Sequence, residues 1–169
     1  MSILKIRKLG DPVLKKKCKP VTEITPEIKQ LAADMLETMY AAPGVGLAAS
    51  QVGVPVRLYV IDVKPEGQRA PIVLINPQIV TKKGKAFEEE GCLSLPGVVA
   101  KVKRFGEVTV EAANEKGFPI SVSGTGLLSR VLQHELDHLN GKVFLDNLSW
   151  LNRQKLMREI RKKRKLEGW

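Results

Sequence analysis

Apolar residues recur at helical spacing in two stretches of the chain. The first begins at Thr25-Pro26-Glu27, where the threonine can cap a helix and the proline suits its first position. We expect this helix to end near Tyr40, because Pro43-Gly44 cannot continue it. The second follows Gly124-Thr125-Gly126 and is expected to stop at Gly141. Its apolar positions are Leu127, Leu128, Val131, Leu132, Leu136 and Leu139.

Shorter apolar runs rich in β-branched residues predict strands. Residues 57–63 and 72–75 are two such runs, the second closed by Asn76-Pro77. Residues 108–112 and 118–122 flank a polar turn and predict a hairpin. Ser149 can cap a last helix that runs into the C-terminal segment. Helices and strands mixed in this way are typical of the α+β class.

The composition is that of one globular domain covering residues 1–169. With 43% hydrophobic residues in a chain of 169, the protein can bury a core without disulfides or a second subunit, so we expect a monomer. No apolar run approaches the roughly 18 residues of a membrane span, and the first residues lack a signal-peptide core. We therefore expect a cytoplasmic protein with no membrane partner.

The net charge of +10 is concentrated at the two ends of the chain. Residues 1–19 carry +6 and residues 151–169 carry +6, whereas residues 20–150 carry −2. This division separates a body, residues 1–150, from a basic C-terminal helix or tail, residues 151–169. Basic ends favour a polyanionic partner such as the ribosome. A solubilising face of a terminal helix is the alternative reading of the same charges.

Both histidines of the chain lie in the pentapeptide His134-Glu135-Leu136-Asp137-His138. On a helix, residues four apart share a face, so both imidazoles can reach one metal ion. Glu135 then projects about 100° around the helix axis, toward a water on that ion. The pattern predicts a metal centre with His134 and His138 as ligands.

A catalytic metal needs a third protein ligand, and two candidates remain open. A third histidine after the pentapeptide is excluded, because the residue at that spacing is Phe144. Glu159 lies at the distance used by thermolysin-like peptidases, but basic residues surround it. Cys92 is the better candidate, because a thiolate with two imidazoles is a sound set for a divalent metal and Gly91 permits close approach of the backbone.

Three segments together resemble the signature motifs of the bacterial peptide deformylase family, in order and in spacing. They are Gly44-Val45-Gly46-Leu47-Ala48-Ala49-Ser50-Gln51-Val52-Gly53, Glu90-Gly91-Cys92-Leu93-Ser94-Leu95-Pro96 and Gln133-His134-Glu135-Leu136-Asp137-His138-Leu139-Asn140-Gly141. Ser50 departs from the family, which more often has Thr or Pro there, and so does Gly97-Val98-Val99-Ala100, where some members carry an Arg. The resemblance implies an enzyme that hydrolyses the N-formyl group from the formyl-methionine of newly made polypeptides and releases formate. It also implies that antiparallel or mixed sheets pack around a central helix carrying the metal ligands.

The resemblance further implies a role for each residue of the site. Cys92, His134 and His138 hold one divalent metal, whose water is the nucleophile, and Glu135 is the general base and acid. The side-chain amide of Gln51 and the N–H of Leu93 donate to the oxyanion. Ligand softness favours zinc, whereas the family is known for Fe(II), with nickel, cobalt or zinc as substitutes, and we expect Fe(II).

The substrate is expected to bind as an extended peptide. The backbone at Val45, Gly46 and Gly91 can pair with its main chain, which gives affinity tolerant of sequence. Val45, Leu127 and Val131 are candidates for the methionine pocket, and the resemblance suggests a Glu90–Arg104 pair at the rim of that pocket. Two rival functions remain open: a metallopeptidase with Glu159 as ligand, and a ribosome- or RNA-binding protein with a structural metal.

Overall fold

A computed structural model of the chain describes residues 2–169. It contains three α-helices and seven β-strands, joined by short 3₁₀ turns and loops. The helices are α1 (Pro26–Ala41), α2 (Gly126–Leu139) and α3 (Trp150–Glu167). The strands are β1 (Gly46–Ala48), β2 (Leu58–Ile61), β3 (Ile72–Lys83), β4 (Ala86–Cys92), β5 (Leu95–Arg104), β6 (Glu107–Ala113) and β7 (Pro119–Thr125).

The strands form two separate sheets, which confirms the α+β class. One is five-stranded in the order β1-β2-β3-β6-β7, with antiparallel pairing between neighbours. The other is a two-stranded ribbon of β4 and β5. Strand β1 is therefore an edge strand of the larger sheet, and main-chain groups along its outer side are free of sheet partners within residues 2–169.

The helix boundaries follow the local sequence signals. The Thr25 hydroxyl accepts a hydrogen bond from the Ile28 N–H at 3.3 Å, as a capping residue does. Helix α1 ends at Ala41, one residue beyond the expected end. Ser149 caps α3 in the same way through the Asn152 N–H. Residues 107–125 form the expected hairpin of β6 and β7.

Strand β3 is the clearest departure from the hydrophobic pattern. Asn76-Pro77 was expected to close a strand of four residues, but β3 continues to Lys83. Asn76 adopts a φ of +53°, and the pairing with β6 shifts register between Ile75 and Gln78. The proline therefore occupies a bulge, where its missing N–H costs no ladder hydrogen bond. The Asn76 side chain binds both the N–H and the carbonyl of Val21, which stabilises this conformation.

One further strand prediction was wrong in extent, and one pair of strands was missed. Strand β2 covers Leu58–Ile61, which is shorter than the expected 57–63. The ribbon of β4 and β5 was not predicted, because Glu88-Glu89-Glu90 has no alternation of apolar and polar residues. Pairing with β5 rather than hydrophobic patterning makes this segment a strand.

Helix α2 lies against the larger sheet through apolar side chains. Val131, Leu132 and Leu139 pack with buried residues of β2, β3 and β6. Helix α1 covers another part of the same sheet with Met35 and Met39, both fully buried. Helix α3 buries Leu156 and Ile160 against the ribbon. None of the helices within residues 2–169 has both the length and the apolar character needed to cross a membrane.

Candidate metal centre and active site

Three potential metal ligands converge at the end of the ribbon where β4 turns into β5. The Sγ of Cys92 lies 3.4 Å from His138 Nε2, and the Nε2 atoms of His134 and His138 are 3.3 Å apart. All three ligand atoms lie within 4.8 Å of one another. The structure thus brings together the cysteine and the two histidines that the sequence selected.

Two local features place these ligands. His134 and His138 lie four residues apart in α2, so their rings project from the same face of the helix. Cys92 is the last residue of β4, directly before the two-residue turn Leu93-Ser94 that leads into β5. The hairpin therefore holds the Cys92 thiol against the face of α2 that carries the two imidazole rings.

Glu90 orients the first histidine. Its Oε2 lies 3.1 Å from His134 Nδ1, so this ring nitrogen donates to the carboxylate and Nε2 faces Cys92 and His138. Burial opposes ionisation of Glu90, but hydrogen bonds from His134 and Arg104 outweigh it and lower its pKa to about 2. The carboxylate is therefore ionised at neutral pH.

Two buried arginines hold Glu90. Arg104 donates from Nε to Oε1 at 2.7 Å and from Nη2 to Oε2 at 3.0 Å, and Arg130 Nη1 donates to Oε1 at 3.0 Å. Arg104 also pairs with Asp137 of α2. Glu90 and Arg104 do pair, but not at the rim of the pocket as expected. Glu90 is 5% exposed and Arg104 9%, and Arg104 does not line the cavity.

Glu135 is buried beside the ligands with a free oxygen. It is 4% exposed, and its Oε2 has no hydrogen-bond partner within residues 2–169. Burial raises its pKa to about 7. A Cβ at Gly46 would lie 2.6 Å from Glu135 Oε1, so only glycine leaves room for this carboxylate. The close approach brings the edge of β1 directly to the acid.

Gln51 is fixed in one orientation at the other side of the cavity. Its Oε1 accepts from the Ala48 N–H at 2.9 Å, which directs Nε2 toward the site. Nε2 lies 3.1 Å from Ser94 Oγ and 3.6 Å from Cys92 Sγ. The amide donors of Gln51 are thus held beside the metal ligands, next to the turn that contains Leu93.

A cavity of about 910 Å³ opens onto these groups. All five expected substrate-binding residues line it, namely Val45, Gly46, Gly91, Leu127 and Val131. Gln51, Cys92, Leu93, His134 and Glu135 line it as well. Of the three candidates for the methionine pocket, Val131 is 5% exposed, whereas Leu127 is 51% and Val45 39%. Val131 is therefore the deep wall, and the other two form the mouth.

The donor set fits a divalent transition metal. One thiol and two imidazoles, one of them backed by a carboxylate, are the ligands and the outer contact that such ions prefer. Burial and the neighbouring ring of His134 lower the pKa of His138 well below its usual value, so this ring is neutral and able to bind a metal. Glu159 lies exposed on α3 and is not part of the ligand cluster within residues 2–169.

Sequence reasoning missed several residues that shape the site. Arg130 was not singled out, although it precedes His134 by four residues and so shares its helix face. Ser94 was also missed, and its polar side chain two residues after Cys92 was the available signal. Lys8, whose ammonium donates to the Leu93 carbonyl at 3.1 Å, gives no sequence signal because it is one of many lysines.

Comparison with known families agrees with this geometry. The family model described as polypeptide deformylase matches residues 3–154. The chain is 48% identical to the peptide deformylase of Nitrosococcus oceani over 168 residues, which cover 99% of this chain and 100% of that protein. It is 53% identical to that of Halothermothrix orenii over 148 residues, which cover 88% and 95% of the two chains.

Solved structures give the same result. The chain is similar to a crystal structure of a peptide deformylase from Legionella pneumophila, with a TM-score of 0.92 and 46% identity over 99% of this chain and 98% of that one. It is also similar to the peptide deformylase of Ehrlichia chaffeensis in complex with actinonin, with a TM-score of 0.90 and 39% identity over 96% and 98%. The likeness extends over nearly the whole of each chain.

Proposed function

This chain belongs to the polypeptide deformylase family, hydrolases that remove the formyl group from newly made polypeptides, and on that premise we propose how its own residues perform the reaction. The proposal is carried by one observation. A buried carboxylate with a free oxygen, Glu135, adjoins a cluster of three metal ligands at the floor of an open cavity.

Cys92, His134 and His138 hold one divalent metal, which supplies Lewis acidity and a water of lowered pKa when bound. Glu135 accepts the proton of the attacking water and returns it to the amine that leaves. The raised pKa of about 7 suits a group that must take and give a proton near neutral pH. The products are formate and a peptide with a free amino group.

Gln51 and the main-chain N–H of Leu93 stabilise the charge that develops on the formyl oxygen. The fixed orientation of Gln51, with Oε1 on the Ala48 N–H, supports the role of Nε2 as one donor. Both donors line the cavity beside Cys92. Donors that are already in place need no reorganisation during the reaction.

The peptide binds between the two sheets. Gly46 on the free edge of β1, Val45 directly before it and the backbone at Gly91 all line the same cavity. This arrangement supports main-chain pairing on both sides of an extended substrate. Val131 forms the deep wall of the methionine pocket, with Leu127 and Val45 at its mouth. Main-chain pairing tolerates different sequences after the methionine.

Replacement of Glu135 tests the mechanism. We expect Glu135→Ala to lower kcat for formate release from formyl-Met-Ala-Ser by about 10³-fold, the usual range for a lost acid or base. Metal content should stay at one ion per chain. Glu159→Ala is the matched control, because Glu159 is exposed on α3, and it should keep full activity.

Two results would contradict the proposal. Full formate release by Glu135→Ala would show that Glu135 is not the general base. Loss of metal from Glu159→Ala would instead favour the metallopeptidase hypothesis, in which Glu159 is a ligand. Appearance of free methionine, rather than formate, would also favour a peptidase.

Fe(II) is the proposed metal, with zinc, nickel or cobalt as substitutes. The Cys and two His ligands accept all of these ions, and the choice of iron rests on the family. Metal analysis of anaerobically purified protein, with activity measured for each reconstituted metal, tests it. An active zinc form and an inactive Fe(II) form would overturn it.

The basic helix α3 is proposed to bind the ribosome, in keeping with a substrate that is a nascent chain. Its exposed cations are Arg153, Lys155, Arg158, Arg161, Lys162 and Lys165. Deleting α3 is a poor test of this proposal, because it would also remove Leu156 and Ile160 from the core. Reversing the charge with Arg158→Glu, Arg161→Glu and Lys165→Glu is therefore the better test. We expect ribosome binding to weaken and to lose part of its salt dependence, with formate release from free peptide unchanged.

Residues 1–169 are proposed to form one domain that acts as a monomer in the cytoplasm. The packing of α3 on the ribbon through Leu156 supports a single unit of body and tail. All the site residues come from one chain, which supports a monomer. Analytical ultracentrifugation of the metal-loaded protein would test the monomer, and a dimer that dissociates with loss of activity would contradict it.

A further inference from the structure

The segment from Leu4 to Leu9, here called the N-terminal strap, has no helix or strand and borders the active-site cavity. Its first part is anchored on α1: the Leu4 N–H donates to Thr38 Oγ1 at 2.8 Å, and Leu4 and Ile6 pack against the α1 core. Directly after the strap, Gly10 lies against the guanidinium of Arg164 in α3. Both ends of the strap are therefore fixed.

Three consecutive strap residues bind the two loops that carry the proposed oxyanion donors. The Arg7 N–H donates to the Gln51 carbonyl at 2.7 Å, and the Leu9 N–H donates to the Ser94 carbonyl at 2.9 Å. Between them, Lys8 Nζ donates to the Leu93 carbonyl at 3.1 Å. One short stretch of chain thus holds both loops from the same side.

The two donors need such a link because they come from different sheets. Gln51 follows β1 of the larger sheet, whereas Leu93 lies in the turn of the ribbon. An oxyanion hole works only if its donors are held at the right separation before the reaction starts. The contact between Gln51 Nε2 and Ser94 Oγ, at 3.1 Å, is a second link across the same gap.

We propose that Lys8 is a positioning residue for the oxyanion hole, which holds the Leu93-Ser94 turn so that the Leu93 N–H points at the formyl oxygen. The inference rests on the proposed role of Leu93 and Gln51 as donors. Leu93 and Ser94 are the two turn residues between the paired residues Cys92 and Leu95. Lys8 and Leu9 bind one carbonyl each, so the peptide planes that follow Leu93 and Ser94 are held, and the turn that carries the Leu93 N–H is held with them.

The Lys8 bond is the one side-chain contact among the three, so substitution can remove it without changing the backbone. It is assisted by the charge of the ammonium, and such bonds are stronger than neutral ones. Its loss frees the turn to rotate and misaligns the Leu93 N–H. Because that donor acts mainly in the transition state, kcat should fall while KM for the peptide stays unchanged.

The experiment compares three variants of the zinc-loaded protein. Lys8→Met removes the donor but keeps the length of the side chain, and Lys8→Arg restores a cationic donor. Lys5→Met is the matched control, because Lys5 lies in the same strap, lines the same cavity and is exposed. It loses the same charge without touching the Leu93 carbonyl.

We expect Lys8→Met to lower kcat for formyl-Met-Ala-Ser about fivefold, with KM, metal content and Tm unchanged. Loss of a whole oxyanion donor costs about 10² to 10³, so partial misalignment should cost less. Lys8→Arg should recover most of kcat, and Lys5→Met should keep it. The NMR order parameter of the Leu93 amide should fall in Lys8→Met and stay at the parent value in Lys5→Met, because only the first change frees the turn.

An unchanged kcat and an unchanged order parameter of the Leu93 amide in Lys8→Met would overturn the proposal. An equal loss of kcat in Lys5→Met would also overturn it, because the effect would then come from charge in the cavity. Gln51→Ala separates this inference from the mechanism on which it rests. If Gln51→Ala keeps full activity, the oxyanion assignment itself fails, whereas an inactive Gln51→Ala beside a fully active Lys8→Met removes only the role of Lys8.

Discussion

Helix α2 contacts two regions of the molecule in two different ways. On the larger sheet it is held by apolar side chains, with Leu132 and Leu139 at 0% exposure among strand residues. On the ribbon it is held by charge, through Arg130 and His134 against Glu90, and through Asp137 against Arg104. The same helix therefore has an apolar side, which packs on the larger sheet, and an ionic side, which pairs with the ribbon.

The difference teaches what each side contributes. Apolar packing stabilises in proportion to the area buried and tolerates small changes of angle. Buried ion pairs lose hydration on folding, so their net contribution to stability is small, but they bind in one geometry. The ionic side holds the ribbon that carries Cys92 against the helix that carries the histidines. We infer that the ionic side fixes the geometry of the candidate ligands, and that the apolar side provides the stability.

The largest expected effect comes from removing the carboxylate at the centre of the ionic side. Glu90→Gln leaves the buried Arg104 and Arg130 without their shared anion and should lower the free energy of unfolding by about 4 kcal/mol. Metal affinity should fall about 10- to 100-fold, because His134 loses its orienting partner. Urea unfolding and metal titration measure the two effects.

Glu89→Gln is the control for that change. Glu89 is exposed on the same strand, so both quantities should stay near those of the parent. Equal losses in the two variants would show that the ribbon responds to its total charge and not to the Glu90 pairs.

On the apolar side, Leu132→Ala should lower the free energy of unfolding by about 3 kcal/mol, the usual penalty for a cavity in a core. The metal ligands keep their partners, so kcat per folded molecule and metal affinity should be unchanged at 20 °C. Chemical denaturation and formate release measured on one preparation test this. Weakened metal binding would show that the two sides of α2 are coupled.

Replacing the ionic side with apolar side chains sharpens the comparison. The triple change Glu90→Leu, Arg104→Met and Arg130→Met removes the buried charges together and should regain about 2 kcal/mol over Glu90→Gln. Metal affinity should remain as low as in the single variant, since His134 still has no anionic partner. A triple variant that binds metal as tightly as the parent would show that the charges do not position the ligands.

The smallest effect concerns a lone carboxylate beside α1. Asp62 is 1% exposed and accepts hydrogen bonds from the Tyr40 hydroxyl and from the N–H groups of Lys64 and Ala70. Burial acts to raise the pKa of Asp62, but these bonds outweigh it and lower the pKa below its usual value. The stability that the ionised group contributes is therefore complete above a pKa of about 3.9 in the unfolded chain and is lost as pH falls below it.

Asp62→Asn keeps the shape of this group and removes its charge. At pH 6 we expect the variant to be about 1 kcal/mol less stable than the parent, and this gap should shrink as the pH falls to 3. Urea titrations at the two pH values measure it. A gap that widens toward acid pH would contradict the direction of the shift.

The sequence predicted the candidate metal ligands better than the residues that hold them in place. His134 and His138 were found because helical spacing alone places them together, and Cys92 because few residues can complete that set. The ionic side was hidden, since the pairing of Glu90 with Arg104 and Arg130 depends on how the ribbon lies on α2. The strand of Glu88 to Glu90 was missed for the same reason, because a partner strand and not its own pattern orders it.

The bulge at Asn76 shows a different limit. A positive φ at Asn, with both polar atoms of its side chain bound to Val21, lets a proline stand inside a long strand. Rules based on local sequence predict that a strand ends at Asn-Pro. They fail where a segment distant in sequence supplies the hydrogen-bond partners of the asparagine side chain. Such long-range contacts are invisible to any window of sequence.

The strap also has a consequence for how the enzyme assembles. Its bond from Lys8 to Leu93 closes a loop of 85 residues, one of the longest-range contacts of the active site. Closing such a loop costs chain entropy that only later contacts offset, so we expect the Leu93-Ser94 turn to be among the last parts of the body to become ordered. Arg164 reaches Gly10 from the far end of the chain. An unfinished chain that stops short of α3 is therefore expected to hold a partly built site, and maturation of the enzyme should lag behind its own synthesis.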